Sequence, residues 1–157
     1  MATQILPGYL HTPHHFINGQ AVAGTGEIQV IDPATAQVLT TTPRGTIDDI
    51  DAAVQAAHQT FRSGAWSRLS GRERSRVLYR VSELMRERTT ELAEVESYDV
   101  GKPISLANAV DVNNAADTYE YAASLAQHLD GAVRRTPLPA HAFTQREPLG
   151  VVAAITP

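Results

Sequence analysis

The chain has 157 residues, enough for one domain that buries roughly two-thirds of the surface its unfolded form would expose. With 43% hydrophobic and 19% charged residues it falls in the ordinary range of globular chains, and no apolar run approaches the ~20 residues that cross a bilayer. A formal net charge of −4, with aromatic residues not interleaved among basic ones, argues against nucleic acid as a partner; the absence of cysteine excludes disulfides, thiolate zinc sites and a thiol nucleophile within these residues.

The first Lys or Arg is Arg44, so the opening MATQILPGYLHTPHH lacks the basic start and apolar centre of a secretory signal. Residues 1–15 read as a flexible leader, and a cytoplasmic location is the default expectation. His11, His14 and His15 have no helix to fix their spacing and no acidic neighbour in sequence, which favours a plain leader over a metal cluster.

From Phe16 to Val22 the Asn18-Gly19 pair sits between apolar stretches, and both residues tolerate the positive φ of a two-residue hairpin turn. A second hairpin is expected from β-branched stretches at Ile28–Ile31 and Val38–Thr42 around an Asp32-Pro33 turn. The period then changes. Thr46 with Asp49 three residues later makes a capping-box start, and Ile50, Ala53, Val54, Ala57 and Phe61 share one helical face. Ser70 and Glu73 repeat the device ahead of one long amphipathic helix whose stripe runs Val77, Leu78, Val81, Leu84, Met85, Leu92 and Val95. Gly101 ends it and Pro103 opens a third helix carrying Val112, Ala116, Tyr119, Ala123 and Ala126, closing near Gly131. Strands return at Ala132–Thr136 and Ala142–Glu147. Val151–Ile155, five apolar residues without a polar break, read as a strand covered on both faces.

Few residues point to chemistry. Arg72, Arg76 and Arg80 stand four apart on one face, but Glu73, Glu83, Glu87, Glu91, Glu94 and Glu96 share the same stretch, so a solvated polar face explains the run better than an anion site. Asp99 falls where a helix should end, and a carboxylate there meets an unfavourable dipole unless something positive compensates. A bound cation is one reading; an Asp that caps the loop or pairs with Lys102 is the other. No Gly-rich phosphate cradle or hydrolytic triad is recognisable from spacing.

Six stretches, FINGQ, IDPATAQV, AAVQAAHQTF, WSRLSGRERSRVLYRVSELM, ESYDVGKP and QREPLGVVAAITP, occur in an order and spacing that resembles the amino-terminal portion of the NAD(P)-dependent aldehyde dehydrogenase superfamily. The resemblance runs from about Phe16 to Pro157. It implies an α/β fold in which residues 16–133 form the first part of a cofactor-binding domain, 134–150 hold strands of an oligomerisation arm, and 151–157 begin a Rossmann-like sheet. Ligands gather beyond the carboxyl ends of strands in such open sheets, so Ile155, Thr156 and Pro157 would border the cleft for NAD or NADP.

Family chemistry oxidises an aldehyde to a carboxylic acid through a Cys thiolate, hydride transfer to the nicotinamide, and a Glu base. The resemblance places that Cys, that Glu, the Lys at the cofactor ribose and the pyrophosphate turn after Pro157, so these residues are not expected to be catalytic by themselves. Some members also bind a structural monovalent cation through a strand carbonyl and the Asp before GKP; the matching residues are Val30 or Ile31 and Asp99. Partners expected on the same ground are the aldehyde and homologous subunits, with self-association of the chain through its uncovered helix stripes. The alternative is a short interaction protein that pairs with full-length aldehyde dehydrogenase subunits and governs their assembly.

Overall fold

The computed structural model describes residues 14–156. Strands β1 (His15–Ile17) and β2 (Gln20–Val22) pair antiparallel, with Ile17 opposite Gln20. Asn18 and Gly19 between them take φ of 53° and 77°, the double positive φ of the tight turn that the sequence requires. Strands β3 (Glu27–Ile31) and β4 (Val38–Pro43) form the second hairpin. Its register slips between Val30, opposite Thr40, and Ile31, opposite Val38, so Leu39 is the extra residue of a β-bulge.

Helix α1 (Ile47–Ser63) begins with the expected capping box: Thr46 Oγ1 accepts from the Asp49 N–H, and the Asp49 carboxylate accepts from the Thr46 N–H. It ends at Gly64 in the left-handed conformation. Helix α2 (Gly71–Glu87) starts with the same box between Ser70 and Glu73.

The single long helix expected from Ser70 to Val100 is divided. Helix α2 stops at Arg88, whose φ of −111° and ψ of 21° leave the helical basin, and α3 (Thr89–Val100) starts at once. The Thr89 hydroxyl donates to the carbonyl oxygens of Arg86 (2.8 Å) and Met85 (3.3 Å), which occupies acceptors that a continuing helix would use. The third helix differs too. A short turn α4 (Ile104–Leu106) runs into a π-helical turn, Ala107–Asp111, and then α5 (Val112–Leu125). The wide turn loosens the carbonyl ladder, and Asn113 Nδ2 donates to the oxygens of Asn108 (3.0 Å) and Ala109 (3.3 Å). The helix closes at Leu125 rather than near Gly131, because the following backbone turns to bring Gln127 onto α2.

Helix α2 packs along α5, and the buried residues of the pair are small: Ser75 and Ser82 on α2, Val112, Ala116 and Ala123 on α5. Gln127 Nε2 donates to Ser75 Oγ at 3.1 Å, and Gly71 lies against the Ala126 carbonyl. A second cluster joins Ala93 of α3, Ala107 of the π turn and Val112, with Leu92 packed against it. The third hairpin pairs β5 (Ala132–Arg134) with β6 (Ala142–Thr144), shorter than the expected strands.

Val151–Ile155, read from the sequence as a covered strand, has no strand paired with it among the described residues, and the segment is exposed, Ile155 to 97%. A strand covered on both faces needs hydrogen-bonding neighbours on its edges, and the three sheets here are separate two-stranded pairs. Helix α1 has no buried residue, and its stripe residues Ile50 and Val54 face solvent. No described helix is long and apolar enough to cross a membrane.

Candidate functional site

Of the sequence-predicted cation ligands, Val30 and Ile31 end β3 ahead of the β3–β4 turn and Asp99 lies near the end of α3. Asp32 is buried and turned into its own loop: its carboxylate accepts from the Ala34 N–H and the Thr35 hydroxyl, both at 2.8 Å. The Thr35 hydroxyl, and then the Ala34 N–H, hold its pKa below the ordinary carboxylate value. That bonding fixes the turn beyond Val30 and Ile31. Pro33 in the turn then meets Gly101, which caps α3 at φ 70°: a Cβ on Gly101 would lie 2.6 Å from Pro33 Cγ. Ile31 and Asp99 each stand two residues from that contact.

Asp99 itself is exposed, and no hydrogen bond or ion pair reaches its carboxylate among the described residues. The alternative pairing of Asp99 with Lys102 is not formed, and Lys102 is engaged elsewhere. Its Nζ lies 2.8 Å from Asp111 Oδ2 and 3.1 Å from Glu96 Oε1, and these contacts, Asp111 first, raise its pKa. Its backbone carbonyl accepts from the Ser97 hydroxyl at 2.8 Å, which ties the loop to α3. Sequence reasoning missed this clamp. Glu96 and Lys102 lie on opposite sides of a helix end, and Asp111 reaches them only because the π turn folds back onto α3.

One other expectation changes. His15 is not a leader residue but the first residue of β1, half-buried against the start of α1, with Nε2 4.0 Å from Asp49 Oδ2. His14 is exposed, and His11, the third histidine of the sequence group, lies outside the described residues. Among the described residues there is no cluster of three or more His, Asp or Glu side chains placed to hold a metal. The basic stripe is internally balanced, as expected: Arg80 bridges Glu83 and Glu87, each at 3.1 Å. Arg86 reaches across to Asp117 and Glu120 of α5.

Ile155 and Thr156, predicted to border a cofactor cleft, lie exposed in the unpaired final segment, and Pro157 lies outside the described residues. The chain therefore presents a hairpin-and-helix frame and one loop junction, without an assembled reaction centre among the described residues.

Three hairpins and a small-residue helix pair define an α/β frame, and this frame has relatives. The profile of the aldehyde dehydrogenase family matches residues 21–157. Aldehyde dehydrogenase 1 of Tanacetum cinerariifolium is 39% identical over 145 residues, covering 90% of this chain and 29% of that protein. A solved aldehyde dehydrogenase variant from Bacillus cereus superposes with a TM-score of 0.83 at 31% identity, over 88% of this chain and 29% of its own. The NAD-dependent aldehyde dehydrogenase of Sinorhizobium meliloti does so with a TM-score of 0.75 at 35% identity, over 79% and 25%. The chain belongs to the aldehyde dehydrogenase family, to whose amino-terminal portion it corresponds. It spans less than a third of the length of these relatives.

Proposed function

We propose that these residues supply the amino-terminal frame of an NAD(P)-dependent aldehyde dehydrogenase that oxidises an aldehyde to a carboxylic acid, and that they do not catalyse by themselves. The observation that carries the reading is the extent of the match: 88% of the chain superposes on a solved family member at a TM-score of 0.83. In this reading residues 16–133 are the first part of the cofactor-binding domain and Val151–Ile155 its first parallel strand, which acquires neighbours in the complete sheet. Ile155, Thr156 and Pro157 then border the cleft for NAD or NADP. Residues 134–150 pair subunits through the β5–β6 ribbon, and the enzyme works in the cytoplasm.

The same reading gives the junction of β3 and α3 a monovalent cation. Carbonyl oxygens of Val30 or Ile31 with the Asp99 carboxylate are hard oxygen donors of the kind that hold such ions. Asp99 is free of ion pairs among the described residues, and the Gly101–Pro33 contact brings the two segments together. A cation there would neutralise a carboxylate at the negative end of α3, whose last turn contains no basic residue.

The test is a chimera in which residues 16–157 replace the corresponding segment of the Bacillus cereus relative. It should fold, bind NAD and form NADH with an aldehyde. A chimera that folds but neither binds NAD nor turns over would overturn the reading, as would NADH production by the purified 157-residue chain alone.

A further inference from the structure

Three carboxylates, Glu96, Asp99 and Asp111, surround the end of α3, and one lysine is at hand to serve them. The structure divides them unevenly. Lys102 takes Asp111 at 2.8 Å and Glu96 at 3.1 Å, with about a third of its side chain exposed, while Asp99, three residues away along the chain, receives nothing among the described residues. A lysine on a flexible four-carbon stem has the reach to pair with a carboxylate three positions back. In the structure its two ion pairs, with Glu96 and Asp111, hold it elsewhere. The π turn matters here, because it delivers Asp111 to α3 as a second ion-pair partner, and the Ser97 hydroxyl donates to the Lys102 carbonyl at 2.8 Å.

We propose that Glu96 and Asp111 hold Lys102 away from Asp99 and so keep that carboxylate open to a monovalent cation; the proposal rests on the cation reading given above. Glu96 and Asp111 are then positioning residues of the site, acting through Lys102. Without the clamp, the ammonium becomes an internal competitor for Asp99, an intramolecular one that bulk salt cannot dilute. If it occupied Asp99 in nine molecules of ten, apparent cation affinity would fall about tenfold, since only the remaining fraction is competent to bind.

The experiment compares thermal unfolding of the chain in KCl and in choline chloride at equal ionic strength, titrating K⁺ to obtain its apparent affinity. Four proteins are needed besides the unaltered chain: Asp99→Asn, Glu96→Gln with Asp111→Asn, the same pair with Lys102→Met added, and Lys102→Met alone. The unaltered chain should be stabilised by K⁺ and Asp99→Asn should not. The paired variant should bind K⁺ about tenfold more weakly, and adding Lys102→Met should restore binding, because the competitor is gone. Restoration separates competition from simple loss of structure, which a further substitution would not repair. Lys102→Met alone should retain K⁺ binding. If the paired variant binds K⁺ as tightly as the unaltered chain, or if Lys102→Met fails to restore it, the clamp proposal is overturned while the cation site stands. If the unaltered chain shows no Asp99-dependent response to K⁺, both fall together.

Discussion

Gly101 stands so close to Pro33 that a Cβ built on it would come within 2.6 Å of the proline Cγ and 3.3 Å of its Cβ. The glycine also sits at φ 70°, where an L residue is disfavoured by about 1–2 kcal/mol. Gly101→Ala therefore meets two penalties at once: the left-handed backbone, and a ring with no flexible end to give way. It should lower stability by about 2 kcal/mol or more and weaken any ion held between Asp99 and the β3 carbonyls. Denaturant unfolding is the check; a midpoint equal to that of the unaltered chain would show that the turn and the helix end do not touch in solution.

The two capping boxes impose a pH dependence whose sign is fixed by their carboxylates. Asp49 is held below its ordinary value chiefly by the Thr46 hydroxyl, and Glu73 chiefly by the Ser70 hydroxyl. A carboxylate whose pKa is lower folded than unfolded contributes stability that is complete above the unfolded value and lost as pH falls through the folded one. Stability should therefore decline as pH falls below the ordinary carboxylate range of about 4 and through the lowered folded values. Ser70→Ala should cost about 1 kcal/mol at neutral pH and make that decline shallower. An equally steep acid limb in the variant would mean that Glu73 draws its stabilisation from elsewhere.

The contact of α2 with α5 depends on size. Ala116 and Ala123 are fully buried on α5, and Ser75 and Ser82 almost so on α2, so the side chains between the axes are about as small as side chains come. Ala123→Leu adds three carbons where little space is left, and overpacking of this kind costs about 1–3 kcal/mol. Ala123→Ser, nearly the same size, should be milder. Calorimetric melting of the two variants decides it; an Ala123→Leu chain as stable as the parent would show that the helices separate freely.

What the residues disclosed locally they disclosed well. Thr46 with Asp49, Ser70 with Glu73, and Asn18-Gly19 each encode a short-range geometry complete within four residues, and each is found where its chemistry places it. The family was legible for a related reason: six local patterns keep a fixed order. What could not be read depends on contacts distant in sequence or on hydroxyls acting on carbonyls. Thr89 divides a stripe that is otherwise continuous, and no periodicity marks the π turn that carries Asp111 to Lys102. Val151–Ile155 has the composition of a buried strand, but composition states what a segment can tolerate, whereas pairing depends on neighbours.

Among the described residues the β5–β6 ribbon has two unpaired edges, and it has one apolar face. Val133 and Phe143 are directly paired across it and are 83% and 72% exposed, with Leu138 exposed in the connection between them. Unpaired edges beside exposed aromatic and branched side chains are a template for association with another chain, and contiguous apolar surface beyond a few hundred Å² is seldom left bare on a monomer. The isolated chain should therefore sediment as more than one copy at high concentration. If the ribbon directs this, Val133→Lys with Phe143→Lys should shift the distribution toward monomer, because like charges placed directly opposite repel within the ribbon and carry a desolvation cost into any interface. The helix stripes of α1, Ile50 and Val54 among them, offer a rival surface. Association unchanged by the paired lysines but relieved by Ile50→Lys would move the contact from the ribbon to the helix, and a sharp monomer for the unaltered chain at every concentration would remove both.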